Sequence, residues 1–108
     1  MSLSGYRFRI GDTAPFVYYV EEIDPKTLKN FPFDLTNKTV NFDLVNIDTN
    51  LIEVSNEPAS VTDATVGEIE CIFPTNFTGL YELQLKVIDA EGRVAKFPEY
   101  DPLIINFF

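Results

Sequence analysis

The side chains that carry most protein chemistry are nearly missing from this sequence. It has no histidine and a single cysteine, Cys71. Histidine-based triads, histidine-ligated zinc and a disulfide within the chain are therefore excluded. Cys71 stands between Ile69 and Phe73, in a run that alternates with Glu68 and Glu70. That spacing puts the thiol on the apolar face of a strand, where burial raises its pKa and leaves it inert. Carboxylates are the other candidates, since a close pair can do acid–base work. Glu21, Glu22, Asp24, Asp43, Glu68, Glu70, Glu82, Glu99 and Asp101 are available. Most fall at outward positions of alternating strands or in loops, and they read as a solvated polar face. Calcium is the better chemical alternative, because oxygen ligands gather in Asp48-Thr49-Asn50 with Asp63, and in Asp89 with Glu91. Neither group has the alternate acidic residues, central glycine and terminal glutamate of an EF-hand, and Asp and Asn also satisfy turns. The sequence assigns no catalytic, cofactor or metal-binding residue.

Aromatic residues are the remaining resource. Ten Phe and five Tyr exceed what a small core accommodates. Phe16, Tyr18, Tyr19, Phe31, Phe33, Phe77, Phe97, Tyr100, Phe107 and Phe108 cannot all point inward. Some must cap the ends of the core or meet a partner chain, where aromatics are enriched. Tyr18, Tyr19, Tyr100, Phe107 and Phe108 are the expected partner contacts, chosen for exposure. Phe107-Phe108 is the most suggestive pair, because an apolar end left in water is unusual.

The elements that must position these residues are strands. Period-two alternation marks Tyr6–Ile10, Val40–Leu44, Ile69–Phe73 and, most clearly, Tyr81–Val87, with Glu82, Gln84 and Lys86 between the apolar positions. Phe16–Val20, Leu51–Val54, Ala59–Thr62, Arg93–Phe97 and Leu103–Phe107 are shorter candidates. Turn residues separate them, with Gly92 supplying a positive φ in the Asp89–Gly92 hairpin. Asp24-Pro25-Lys26-Thr27 is read as one helical turn with Asp24 as its cap. No apolar period of 3.6 persists for three turns. The expectation is one all-β domain spanning residues 1–108, an immunoglobulin-like antiparallel sandwich of about seven to nine strands. Tyr81, early in a long strand, is placed as at the tyrosine corner of such domains.

Seventeen acidic residues against eight basic ones give a net charge of −9. That field repels phosphate backbones and anionic membranes, so neither nucleic acid nor a membrane is an expected partner. No apolar run reaches the roughly 20 residues of a membrane span, and Met1–Gly5 lacks the features of a signal peptide.

Read in order, the turn residues carry a resemblance. They run Gly11-Asp12-Thr13-Ala14-Pro15, Phe33-Asp34-Leu35-Thr36-Asn37-Lys38-Thr39-Val40, Thr62-Asp63 with Gly67-Glu68-Ile69, Gly79-Leu80-Tyr81-Glu82, Asp89-Ala90-Glu91-Gly92-Arg93, Phe97-Pro98 and Leu103-Ile104-Ile105. This succession resembles the immunoglobulin-like domains of tailed-phage structural proteins, in particular the amino-terminal domain of the phage upper baseplate protein family. Asn37 stands where that family usually has Gly, and Asn tolerates the left-handed conformation. The resemblance implies a non-enzymatic assembly module of a phage or prophage tail, without an active site or cofactor. Its implied partners are other tail or baseplate proteins and further copies of itself, in the virion or in the bacterial cytoplasm during assembly. The competing reading is a carbohydrate-binding or adhesion sandwich in which Tyr18, Tyr19 or Tyr100 stacks on a sugar. The lack of Trp, the largest stacking face, weighs against it.

Overall fold

Alternation in the sequence becomes alternation in burial. Tyr81, Leu83, Leu85 and Val87 are buried, while Glu82, Gln84 and Lys86 lie half-buried on the opposite face. The computed structural model describes residues 4–9, 11, 14–74, 76–98 and 102–108. Among them are ten strands: β1 (Ser4–Phe8), β2 (Phe16–Tyr19), β3 (Glu21–Ile23), β4 (Asn30–Pro32), β5 (Thr39–Asn46), β6 (Ile52–Asp63), β7 (Glu68–Cys71), β8 (Gly79–Ile88), β9 (Val94–Phe97) and β10 (Leu103–Phe107). A 3₁₀ turn, Ala64–Val66, is the only helical element among the described residues, and none of their helices is long and apolar enough to cross a membrane.

Eight strands form one sheet in the order β1-β10-β8-β5-β6-β7-β2, with β9 also on β8. The residues β3 and β4 make a small second sheet. β5 pairs along one flank of β8 from Tyr81 to Ile88. The other flank is shared: β10 takes Gly79–Leu83 and β9 takes Leu85–Ile88. The all-β expectation holds, with a correction to its finer form. β1 runs parallel to β10, so the sheet is mixed, and its two limbs are hydrogen-bonded into one curled sheet through β6.

β6 makes that curl. Its Ile52–Ala59 part pairs with β5 and its Ser60–Asp63 part with β7. The two short strands expected at Leu51–Val54 and Ala59–Thr62 are thus one strand that changes partner. The ladder slips between Phe42 and Leu44, where Asn56 takes a left-handed φ of 54°. Such a bulge bends and twists its strand. Asp43 holds it in place. By alternation Asp43 faces outward, yet it is only 3% exposed. One carboxylate oxygen accepts the Asn56 N–H at 2.7 Å and the other meets Lys86 Nζ at 3.0 Å. Lys86 also donates to Asn56 Oδ1 at 2.8 Å, which closes the triangle. Asp43 therefore departs from the solvated polar face expected of it.

The curl brings both limbs onto one core. Phe73, just after β7, has its ring 5.3 Å from Phe8 and Phe16, 5.7 Å from Phe42 and 5.5 Å from Phe107. Edge-to-face and tilted pairs of this kind add to area burial. Gly67 fixes the second sheet beside the first. Its φ is 72°, and a Cβ there would come within 2.5 Å of the Val20 carbonyl oxygen and 2.9 Å of Phe33's. The missing side chain lets Val20 N–H reach Gly67 O at 2.9 Å, while Phe33 N–H reaches Val20 O at 3.0 Å.

Turn expectations met mixed outcomes. Gly92 and Asn37 have the positive φ values expected of them, 82° and 60°. The single helical turn expected at Asp24 forms the tip of the β3–β4 hairpin. Asp24 Oδ1 does cap the chain there, accepting the Lys26 N–H at 2.8 Å, and Leu28 N–H returns to Asp24 O at 2.8 Å. Tyr81 is buried, but its hydroxyl donates to Glu53 Oε2 at 3.0 Å and accepts from Asn46 Nδ2 at 3.4 Å. A tyrosine corner bonds to upstream backbone; this one ties β8 to side chains of β5 and β6.

Breaking the Asp43 triangle from one side leaves a buried carboxylate without its cation. Lys86→Met is expected to lower unfolding stability by about 3 kcal/mol, and adding Asp43→Asn to recover most of that loss. Urea denaturation of the two single variants and the double variant measures the coupling; independent, additive losses would contradict it.

Candidate interaction surfaces

Strands buried on one face should present polar side chains on the other, but part of this sheet does not. Partners across a ladder share a face, so register shows which outward side chains are neighbours. On β8 the outward residues begin Leu80, Glu82, Gln84. Leu80 faces Asn106 of β10, which in turn faces Arg7 of β1. On the other side Ile47 N–H donates to Leu80 O at 3.1 Å. In the next row Glu82 lies between Ile104 and Val45, and Val45 faces Ile52. Leu80, Ile47 and Ile52 are 44%, 42% and 58% exposed, and Ile104 and Val45 are half-buried. Five aliphatic side chains from β10, β8, the β5 end and β6 thus form one band around a single carboxylate.

Phe108 extends the band at its β1 end. Its N–H donates to Phe8 O at 3.0 Å, and its ring lies 4.4 Å from the Arg7 guanidinium and 5.4 Å from that of Arg9. These are cation–π distances. Neither arginine has a carboxylate partner among the described residues. Phe108 therefore meets its expectation of exposure. Phe107 does not. It is 2% exposed and packs against Phe73, Phe77 and Tyr81, which removes the exposure on which its choice as a contact rested. Alternation explains the difference: the residue partnering Gly79 on the inner face must alternate with an outward neighbour. Tyr18 is half-buried and stacks on Phe16, whereas Tyr19 is exposed and donates to Glu68 Oε2 at 2.6 Å. Tyr100 lies outside the described residues, as do Ile10, Glu99 and Asp101. The aliphatic band itself escaped sequence reasoning, because its members come from four segments and meet only through register.

Several of the acidic candidates are held by local partners. Asp89 Oδ1 accepts the N–H groups of Glu91 and Arg93, and its Oδ2 accepts Arg93 Nε. The Arg93 N–H bond first, with the other Arg93 and Glu91 bonds, holds that carboxyl below its usual range. Glu91 also pairs with Arg93, at 2.9 Å. In the other loop Asn46 Oδ1 accepts the N–H groups of Asp48 and Thr49, and Asp63 Oδ1 accepts the Thr65 hydroxyl. Glu68 accepts from Tyr19 and Thr62, and these bonds hold it below the ordinary glutamate range. Among the described residues no group of three or more His, Cys, Asp or Glu is placed to hold a metal ion.

Cys71 is where the alternation placed it, fully buried opposite Phe16. Burial pushes its thiol from 9.0 up to about 12. The thiol ionises in the unfolded chain before it does in the folded one, so its contribution to stability is intact below about pH 9 and is lost as pH rises toward about 12. A disulfide reagent at pH 8 is expected to leave the native thiol unlabelled and to label it on unfolding in urea; rapid labelling of the native chain would contradict this. No protein-family model matches the chain, and no curated protein matches it.

Proposed function

We propose that this chain is a non-enzymatic assembly module that works by protein–protein contact through the outer face of the β10-β8-β5-β6 limb. The observation that carries the reading is the band of Leu80, Ile47, Ile52, Val45 and Ile104, continued by Phe108. Apolar side chains brought together from four segments, beside the polar Gln84, Lys86 and Lys96 of the same face, mark an interaction surface. Its surroundings have the anatomy of one, with an aromatic at the border and arginines at the rim. The strand order supports an immunoglobulin-like arrangement for the module. β5, β8 and β9/β10 correspond to the C, F and G strands of one sheet, and β6, β7 and β2 to the D, E and B strands of the other. That correspondence and the order of turn residues favour a place in a phage or prophage tail or baseplate. Its partners there are further copies of the chain or other tail proteins.

Leu80 and Ile52 are exposed members of the band, which makes the test clean. Leu80→Glu and Ile52→Glu are expected to leave the melting temperature within a few degrees, as surface changes do, and to abolish association. Sedimentation equilibrium of the chain alone, and retention of purified tail proteins on it, measure that association. A wild-type chain that stays monomeric at millimolar concentration and retains no tail protein overturns the proposal.

A further inference from the structure

A concave surface lies where the two ends of the curled sheet's strand order, β1 and β2, meet the β3–β4 hairpin. β1 and β2 terminate the strand order, and the β3–β4 hairpin follows β2. Between them is a depression of about 410 Å³ lined by Tyr6, Val17, Tyr18, Tyr19, Glu21 and Asn30.

Its aromatic rings are held in place before anything binds. Phe16 is buried and carries two of them: Tyr6 meets it edge-on at 5.0 Å, and Tyr18 stacks on it at 6.2 Å with 15° between planes. Tyr19 is tethered through its hydroxyl to Glu68. Rigid rings need little further ordering when they receive a ligand. The polar groups in the depression, by contrast, are unspent. The Glu21 carboxylate, the Asn30 amide and the Tyr6 and Tyr18 hydroxyls make no hydrogen bond among the described residues.

The charge around these rings has one sign. Among the described residues Glu21 is the only charged one of the lining, and no basic residue joins it. Burial first, then Tyr6 and Glu21, raise the Tyr18 hydroxyl above the usual phenol range. The bond to Glu68 first, then the charges of Glu68 and Asp63, do the same for Tyr19. The faces of tyrosine rings are themselves negative and attract cations. A neutral sugar would use the ring faces but gain nothing from this field.

We infer that the depression between β1, β2 and the β3–β4 hairpin receives a lysine or arginine side chain carried on an extended segment of a partner. The cationic head lies against the rings of Tyr6 and Tyr18, which share the face of Phe16, with Glu21 and Asn30 as hydrogen-bond acceptors. Val17 packs against its aliphatic stem, in the way long basic side chains bury their methylenes. This surface is separate from the aliphatic band, and the inference stands or falls independently of the assembly proposal.

The test is an NMR titration of the full chain with the peptide Gly-Arg-Gly-Arg-Gly, with Gly-Glu-Gly-Glu-Gly and maltotetraose as comparison ligands. The basic peptide is expected to shift the ring signals of Tyr6 and Tyr18 saturably, and high salt to weaken it. Glu21→Gln, and Val17→Lys, which brings the chain's own ammonium into the depression, are each expected to weaken it by about fivefold or more. Their melting temperatures and band-dependent association stay at wild-type values. Three results overturn the inference: no shift with the basic peptide, equal shifts in both variants, or ring shifts with maltotetraose alone, which would make the depression a sugar site.

Discussion

One strand has to serve two limbs, and the rest of the molecule depends on it doing so. β6 leaves β5 at Ala59 and joins β7 at Ser60. A flat strand could not turn the sheet back on itself. The bend comes from the slipped ladder opposite Asp43, where a left-handed Asn56 is pinned by a carboxylate that alternation would have sent to solvent. Buried ion pairs are weak sources of net stability, since desolvation offsets most of their attraction. What this one supplies is geometry: its three members sit on β5, β6 and β8 and fit only one register.

Once the sheet is curled, packing follows from where the phenylalanines fall. Phe73 receives rings from β1, β2, β5 and β10, so strands far apart in the sheet order meet at a single side chain. The aromatic excess thus divides by strand parity. Phe16, Phe42, Phe97 and Phe107 point inward, whereas Tyr19, Phe31 and Phe108 remain outside. The exterior aromatics and the aliphatic band are set in the surface of a chain with a net charge of −9.

Much of the framework was legible residue by residue. The alternation of Tyr81–Val87 gave a strand and its buried face, and Asn37 and Gly92 announced their turns. Cys71 was assigned to the interior from its neighbours alone. Other features depend on relations that a single run of residues does not contain. Pro58 and the polar Ser55-Asn56-Glu57 interrupt the apolar pattern of β6, so one long strand reads as two. β3 and β4 are only three residues each, too short for a period to show, and Asp24-Pro25 signals a turn whether hairpin or helix follows. The band of Leu80, Ile47, Ile52 and Ile104 is invisible until register sets four segments side by side. Phe107 and Phe108 look equivalent as letters and are separated only by the pleat.

The parallel pairing of β1 with β10 has a bearing on how the chain is made. Ser4 lies opposite Leu103 and Phe8 opposite Phe107, so β1 is synthesised long before the strand it pairs with. Until β10 emerges, the ladder edge of β1 stays unpaired. Closing so long a loop is entropically slow, and such edges invite association with other nascent chains. The two arginines beside β1, held on the strand by an acidic protein otherwise short of positive charge, would keep neighbouring copies of that waiting edge apart.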